Sequence, residues 1–111
     1  MEQGEKTVAQ WRSQIDILDT ELLRLLNERA RIATELGALK ESSGLPVYDG
    51  RRERQILARL CKSNQGPLQR ESVSSIFRCI IRESRRLEAT QQHALQKSHY
   101  KQSGQEYSNG H

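Results

Sequence analysis

Residues 8–42 have the sequence VAQWRSQIDILDTELLRLLNERARIATELGALKES. Apolar side chains recur there in alternating steps of three and four residues, with one gap, which is the spacing of a single face of a heptad-type α-helix. These positions are Val8, Trp11, Ile15, Leu18, Leu22, Leu25, Ile32, Leu36 and Leu39. Thr7 and Gln10 have capping-box spacing at the start, and Gly44 before Leu45-Pro46 predicts the stop. The stretch predicts one helix about 50 Å long.

A helix of this length is too long for the rest of the chain to cover. The chain has 111 residues, of which 34% are hydrophobic. A compact domain of that size has a radius of gyration of only about 13 Å, and a chain this short buries only about two thirds of its unfolded surface. We therefore expect the apolar stripe of the long helix to lie against another chain.

Two further helices are predicted. Asp49 is a candidate N-cap for a helix over about 50–62, and the sequence SNQGP at residues 63–67 breaks the chain before a third helix that runs from about 68 to the low nineties. Beyond Thr90 the composition shifts to Gln, Ser, His, Lys and Gly, which predicts a frayed helix end and a disordered tail. With few aromatic residues and two prolines, the chain is predicted to be all-α. We expect a flexible N-terminus over residues 1–7, one domain over 8–92 and a disordered polar tail over 93–111.

Composition excludes several classes of protein. The two cysteines have neither the number of a disulfide scaffold nor the spacing of a metal site. No stretch has the length and apolarity of a signal peptide or a membrane span, which predicts a cytoplasmic protein without a membrane partner. The net charge of +4 would suit an anionic partner, but basic and acidic residues are interleaved, which usually indicates solvated helix faces. All three histidines lie in the predicted tail, so histidine catalysis is not expected.

Polar residues interrupt the apolar faces of all three predicted helices. The gap in the first seam falls at Arg29, and Lys40 follows about 20° away around the helix and about 16 Å along it. The third seam reaches Ser84 and then Glu88, an i, i+4 pair on one face. The second helix begins with the charged run Asp49 to Arg54. Cations that face a helical core are costly unless an anion meets them, so a buried site for a small polyanion explains all three interruptions.

Each interruption also has a simpler explanation. Arg29 could extend to solvent or pair with Glu28 or Glu53. Ser84 is commonly tolerated on a helix face, Glu88 would be a surface residue if the third helix frayed early, and a charged run is often only solvated.

Two segments resemble a known family. Residues 11–60, WRSQIDILDTELLRLLNERARIATELGALKESSGLPVYDGRRERQILARL, resemble the all-helical (AroQ-class) chorismate mutases, with an "hxxxIDxLDxxLhxLLxxR" opening and a "PVxDxxRExxhL" second motif. Residues 76–88, IFRCIIRESRRLE, are similar to the closing motif of that family. The resemblance covers about residues 8–90. It implies an intertwined homodimer of three-helix chains and an isomerase that rearranges chorismate to prephenate, without a cofactor or metal, in phenylalanine and tyrosine biosynthesis.

The resemblance also implies roles for individual residues. Arg12 would reach from the partner chain to one substrate carboxylate, and Arg29 with Ser84 would hold the other. Lys40 would donate to the ether oxygen of the breaking C–O bond. Glu53 would accept a hydrogen bond from the ring hydroxyl, assisted by the backbone near Asp49. A further residue, Arg52, would support Glu53 and the carboxylate network.

Glu88 departs from the commonest bacterial pattern of this family. Many members have a glutamine there, whose amide donates to the ether oxygen together with the lysine. A carboxylate cannot donate, so Glu88 must be protonated to take that part. The resemblance therefore implies that Lys40, Glu88 and Arg29 are the catalytic residues, with activity that declines as pH rises.

Two alternatives are compatible with the sequence. A pyruvate lyase acting on isochorismate would use the same scaffold and nearly the same cations, and fold similarity alone does not separate the two enzymes. A non-catalytic basic helical protein on nucleic acid or on a partner helix is disfavoured, because the predicted helices offer few aromatic side chains for stacking and Arg29 and Lys40 face inward.

Overall fold

The computed structural model describes the backbone of residues 4–109 and the side chains of residues 4–91, 93 and 94. It contains three helices, α1 (Val8–Ser43), α2 (Gly50–Ser63) and α3 (Arg70–Asn109), and no strand within the described backbone. The predicted all-α, three-helix chain with a very long first helix is confirmed.

Both predicted ends of α1 are confirmed. Thr7 Oγ1 accepts the backbone N–H of Gln10 at 3.1 Å, and the Gln10 side chain accepts the N–H of Thr7 at 2.8 Å. At the other end Gly44 has the left-handed φ of 70°, and Leu45 N–H donates to the carbonyl of Lys40 at 2.8 Å. Glycine adopts this conformation without a Cβ clash, so the helix ends where the sequence placed its stop.

The boundaries of α3 differ from those predicted. The helix begins at Arg70 instead of residue 68, because the Asn64 side chain accepts the N–H of Gly66 at 3.1 Å and donates to the carbonyl of Leu68 at 2.7 Å. These bonds keep the connection folded back through Leu68. The helical backbone also continues to Asn109, beyond the predicted end in the low nineties. The side chains of residues 95–111 lie outside the described residues, so the predicted division of the chain at residue 92 stays a prediction.

A single chain has a small core. α3 packs along α1 and α2 packs on α3, and the buried hydrophobic side chains are Ala33, Ile56, Val73 and Ile81. From residue 4 to residue 28 every described residue is exposed, including the whole first part of the apolar stripe. The radius of gyration is 21.3 Å, compared with about 13 Å for a compact domain of this length.

α1 and α3 approach each other closely at Gly37. A Cβ atom at this position would lie 2.8 Å from Glu88 Cα and 3.0 Å from its carbonyl oxygen. No side chain larger than hydrogen fits there unless one helix moves. This contact places Glu88 beside the carboxyl-terminal half of α1.

None of the described helices combines the length and apolarity that crossing a membrane would need.

Candidate active site

A cavity of about 260 Å³ lies between the three helices. Seven of the eight site residues predicted from the sequence line it: Arg29, Lys40, Asp49, Arg52, Glu53, Ser84 and Glu88. Its apolar walls come from side chains of all three helices and of the connection before α2, namely Ile32, Ala33, Leu36, Val47, Ile56 and Ile81. Residues that are far apart in sequence therefore meet around one space.

Arg29 and Ser84 join α1 to α3 at one side of the cavity. The Arg29 guanidinium donates to Ser84 Oγ, and both residues are partly buried. The α-helical register explains the meeting, since each residue occupies the position on its helix where an apolar residue would otherwise contact the other helix. The simpler explanations of these two residues, a solvent-directed arginine and a tolerated surface serine, do not describe this contact.

Lys40 and Glu88 form an ion pair at another side of the cavity. Lys40 Nζ lies 2.7 Å from Glu88 Oε1, and the two side chains are only 15% and 8% exposed. Lys40 also donates to the carbonyl of Val47 at 3.1 Å. Apart from the ammonium, the buried Oε1 atom meets no hydrogen-bond donor among the described residues. A partly buried ammonium and a buried carboxyl group thus face the same small space with little solvent to screen them.

The start of α2 supplies the third group of polar atoms. Asp49 caps the helix, because its Oδ1 accepts the backbone N–H of Arg52 at 3.0 Å. Glu53 follows in the first turn, where a negative charge is favoured by the helix dipole. Its Oε2 lies 3.2 Å from Arg85 Nε. The cap therefore fixes the direction in which the first turn presents its side chains.

Arg85 was missed by the sequence reasoning. It lines the cavity, pairs with Glu53 and lies with its guanidinium carbon 5.2 Å from the centre of the Tyr48 ring. The sequence predicted Arg52 as the support of Glu53, whereas the ion pair in the structure is with Arg85. A usable signal was present: Arg85 lies on the helical turn between Ser84 and Glu88, so it is close to their face.

Arg12 is the one predicted site residue that this chain does not bring to the cavity. It is exposed on the first turns of α1. Seventeen residues separate it from Arg29, a distance of about 26 Å along a helix. A single chain cannot bring both guanidinium groups to one small ligand.

Two side chains on the exposed face of α1, outside the cavity, have shifted pKa values. The hydrogen bond from Arg24 lowers the pKa of the Glu21 carboxyl group, and the two side chains are 2.5 Å apart at their closest. The same hydrogen bond raises the pKa of Arg24. Both side chains are more than half exposed, and neither lines the cavity.

The charge of the cavity lining favours a small anion. Four cationic side chains, Arg29, Lys40, Arg52 and Arg85, face three carboxyl groups, Asp49, Glu53 and Glu88. The lining has a net charge of about +1 with all of these groups ionised, and about +2 if Glu88 is protonated. No group of three or more His, Cys, Asp or Glu side chains within the described residues is placed to hold a metal ion. What the cavity offers a ligand is fixed positive charge and hydrogen-bond donors.

Comparison with known proteins identifies a matching family. Residues 11–89 match the sequence profile of the family described as chorismate mutase type II. The chain is 46% identical over 72 residues to a bifunctional chorismate mutase/prephenate dehydratase of Neisseria gonorrhoeae, a match that covers 65% of this chain and 19% of that protein. A protein of the same description from Aquifex aeolicus is 39% identical over 74 residues, covering 63% of this chain and 20% of its own length. The chain thus spans about a fifth of the length of these relatives.

Two solved structures resemble about three quarters of this chain. A chorismate mutase from Thermus thermophilus (form II) aligns with a TM-score of 0.74 and 38% identity, covering 76% of this chain and 96% of the other. A chorismate mutase from Helicobacter pylori, solved in complex with prephenate, aligns with a TM-score of 0.67 and 31% identity, covering 73% and 88% of the two chains.

Proposed function

The chain belongs to the chorismate mutase type II family, and from this premise we propose that its cavity converts chorismate to prephenate by a Claisen rearrangement. The observation that carries the proposal is the convergence of Arg29, Lys40 and Arg52 on a space also lined by Ser84 and Glu88. The similar chorismate mutase of Helicobacter pylori was solved in complex with prephenate, which favours this reaction over the elimination of pyruvate from isochorismate.

The protein forms no covalent bond with the substrate in this reaction. Within one substrate molecule the ether C–O bond breaks while a new C–C bond forms, so no atom is gained or lost. The flexible dianion has to be held in a compact conformer, which is a matter of positioning. Negative charge develops on the ether oxygen in the transition state and has to be met by donors that are already in place. The donors of this cavity suit both needs.

Two groups of residues divide these tasks. Arg29 and Ser84, already joined by a hydrogen bond, would hold one carboxylate of the substrate, with Arg52 supporting the carboxylate network. Glu53 would accept a hydrogen bond from the ring hydroxyl, and the backbone near Asp49 would assist it. The ion pair between Arg85 and Glu53 would keep that acceptor in position.

Lys40 and Glu88 would act at the ether oxygen. The ammonium of Lys40 would donate to this oxygen as its negative charge grows, an interaction stronger in the transition state than in the bound substrate, so its effect falls mainly on kcat. Glu88 would donate alongside it in the protonated form only. Without substrate the carboxyl group lies 2.7 Å from the ammonium. Binding would break this ion pair, and Glu88 would become the second donor to the ether oxygen by taking up one proton from solvent.

A second copy of the chain would complete the site. Large apolar side chains along the amino-terminal part of α1 are exposed, and burying each of them is worth about 1.5 to 3 kcal/mol. An intertwined homodimer formed along α1 would cover this face. It would also bring Arg12 of one chain to the cavity of the other, as a second guanidinium for the dianion.

We also propose that residues 8–92 form the catalytic unit. Every residue of the cavity lining lies between Arg29 and Glu88. The activity would belong to phenylalanine and tyrosine biosynthesis, in keeping with relatives that are named for chorismate mutase and prephenate dehydratase activity. Its place would be the cytoplasm.

Assays with two different substrates test the proposed reaction. Purified protein is given chorismate in one reaction and isochorismate in another, and the products are separated and identified. We expect prephenate from chorismate at a rate far above that of the solution reaction, with little or no salicylate and pyruvate from isochorismate. Faster formation of salicylate than of prephenate would show that the protein is a lyase.

A further inference from the structure

A second groove adjoins the candidate active site. It runs between α2 and α3 through two neighbouring cavities of about 330 Å³ and about 310 Å³, which share Arg54, Leu57 and Arg78. Glu53 and Arg85 line both the first of these cavities and the catalytic cavity, so the groove and the site share a wall. Five arginines line it, and we call it the basic groove: Arg54, Arg70, Arg78, Arg82 and Arg85.

The basic groove accounts for the net charge of the whole chain. Its lining has five arginines against one carboxylate, Glu53, which is an excess of four. The chain has 18 Lys and Arg against 14 Asp and Glu, for a net charge of +4. Outside the groove lining, 13 basic and 13 acidic residues therefore cancel. The positive excess that the composition suggests is thus concentrated beside the cavity.

Most of these guanidinium groups have no counter-charge within the part of the chain that the structure describes. Only Arg85 lies within ion-pair distance of a carboxylate of the described residues, namely Glu53 at 3.2 Å. Arg78, Arg82 and Arg85 are spaced i, i+4 and i+7, which places them on one face of α3. Like charges at such spacing destabilise a helix by a few tenths of a kcal/mol per pair. An anion in the groove would relieve that repulsion.

We propose that the basic groove is an outer binding track for small organic dicarboxylates, which concentrates the dianionic substrate at the mouth of the catalytic cavity. The proposal rests on the proposed function. A cleft lined by charges of one sign focuses the electric field and raises the local concentration of oppositely charged ligands. The floor of Leu57 and Ile81 adds an apolar surface for the carbon skeleton of such a ligand. Because the groove and the cavity share a wall, a dianion held in the groove is already adjacent to the site.

Neutralising two groove arginines tests the proposal. The variant Arg78→Gln/Arg82→Gln removes two charges that do not line the catalytic cavity. We expect its KM for chorismate to rise by about tenfold at low ionic strength, the lower end of the effect known for charged clefts, with kcat changed less than about twofold. The difference from wild type is expected to shrink as salt is added, since the Debye length falls to about 8 Å at 0.15 M.

Two control variants show whether the effect depends on where the charge lies and whether it depends on charge or on side-chain shape. Arg59→Gln/Lys62→Gln removes the same charge from exposed positions of α2 outside the groove, and we expect its KM to stay within about twofold of wild type. Arg78→Lys/Arg82→Lys keeps the charge and is expected to keep the wild-type KM and its salt dependence. Circular dichroism and thermal unfolding of all three variants report on folding.

The outcomes distinguish failure of the groove proposal from failure of the proposed function. If the groove variant and the Arg59/Lys62 variant have the same KM at every salt concentration, the track does not exist, although the wild-type enzyme turns over chorismate. If the Lys variant is as impaired as the Gln variant, side-chain shape and not charge is responsible, and the proposal fails. If the wild-type protein does not convert chorismate, the proposed function itself is wrong.

Discussion

In the proposed reaction the ion pair between Lys40 and Glu88 would have to be replaced by contacts with the substrate. The two side chains lie 2.7 Å apart without substrate, and the ether oxygen would have to meet both. Breaking a buried ion pair leaves a charge uncompensated unless a new partner arrives. The developing negative charge of the transition state is such a partner for the ammonium.

Lys40→Ala tests this role. We expect kcat to fall by about a hundred- to a thousandfold, because a donor to the developing charge is lost, while KM changes much less. The exposed Lys62→Ala on α2 is the control and is expected to retain wild-type turnover. A folded Lys40→Ala protein, as judged by its helical circular dichroism, with wild-type activity would exclude Lys40 from catalysis.

Glu88 predicts a direction for the pH dependence. Only a protonated carboxyl group donates to the ether oxygen, so kcat is expected to be higher at about pH 5 than at about pH 8. The charged groups that face it across the cavity include Lys40 and Arg29 from α1. The amide of the Glu88→Gln variant donates at every pH, so the kcat of this variant is expected to change little with pH. A wild-type rate that does not change over this range would mean that Glu88 does not donate.

The site residues were predictable from the sequence where they interrupted an apolar pattern. Arg29, Ser84 and Glu88 each take a position that the helical period reserves for the core, and Lys40 lies about 20° around the helix from Arg29. All four line the cavity. Arg85 was not predictable in this way, because it lies beside that face and its partner Glu53 comes from another helix. Pairing between helices depends on their packing, which a pattern within one helix does not contain.

At the scale of the helices, the spacing between α1 and α3 depends on Gly37. The two helices meet so closely there that an added Cβ atom would lie only 2.8 Å from Glu88 Cα. Because the obstacle is backbone, relief requires the movement of a helix and not of a flexible side chain. Glu88 is the residue at the contact, so such a movement would alter the distance to Lys40.

Helix propensity and packing predict opposite effects of Gly37→Ala on the stability of the folded protein. Propensity alone would stabilise the protein by about 0.5 to 1 kcal/mol. We expect destabilisation by about 1 to 3 kcal/mol instead, from overpacking, together with a loss of kcat of about tenfold or more. Thermal unfolding and steady-state kinetics measure both. Gly4→Ala, where the added Cβ meets nothing within 4 Å, is the control. A stabilised and fully active Gly37→Ala would contradict the spacing role.

Helix ends were predictable where their signals are local. The capping box at Thr7, the left-handed Gly44 and the cap at Asp49 all occur where the sequence indicates them. The start of α3 was less predictable, since the side-chain bonds of Asn64 extend the preceding connection. Such bonds depend on the conformation of the turn, and the same residues can form more than one turn.

At the scale of the whole molecule, the most prominent feature is the uncovered apolar face of α1. Leu18 is 61% exposed and Leu22 is 56% exposed, although both belong to the regular apolar stripe. The sequence predicted this face and its need for a partner, because the helix is longer than the domain. A single chain leaves the face open, so which residues meet across the interface does not follow from one copy.

Leu22→Glu tests the proposed homodimer. A charge in the middle of the stripe would be buried without a partner, so we expect the molecular mass in sedimentation equilibrium to fall from two chains to one. Turnover is expected to fall with it. Thr20→Glu introduces the same charge about 200° around the helix and is expected to leave the mass and the activity unchanged. A wild-type protein that sediments as a monomer while fully active would exclude the dimer.

Mixing two inactive variants tests most directly whether charges from two chains hold one substrate. Arg12→Ala and Arg29→Ala are each expected to lose chorismate mutase activity, since each removes one guanidinium from every site. In a symmetric dimer a mixed pair has one site that lacks both groups and one that lacks neither. We expect an equal mixture, unfolded and refolded together, to recover about a quarter of the wild-type turnover, because about half of the dimers are mixed and half of their sites are intact. A mixture that remains as inactive as its two components, beside an active wild-type protein refolded in the same way, would show that Arg12 and Arg29 do not meet across the dimer.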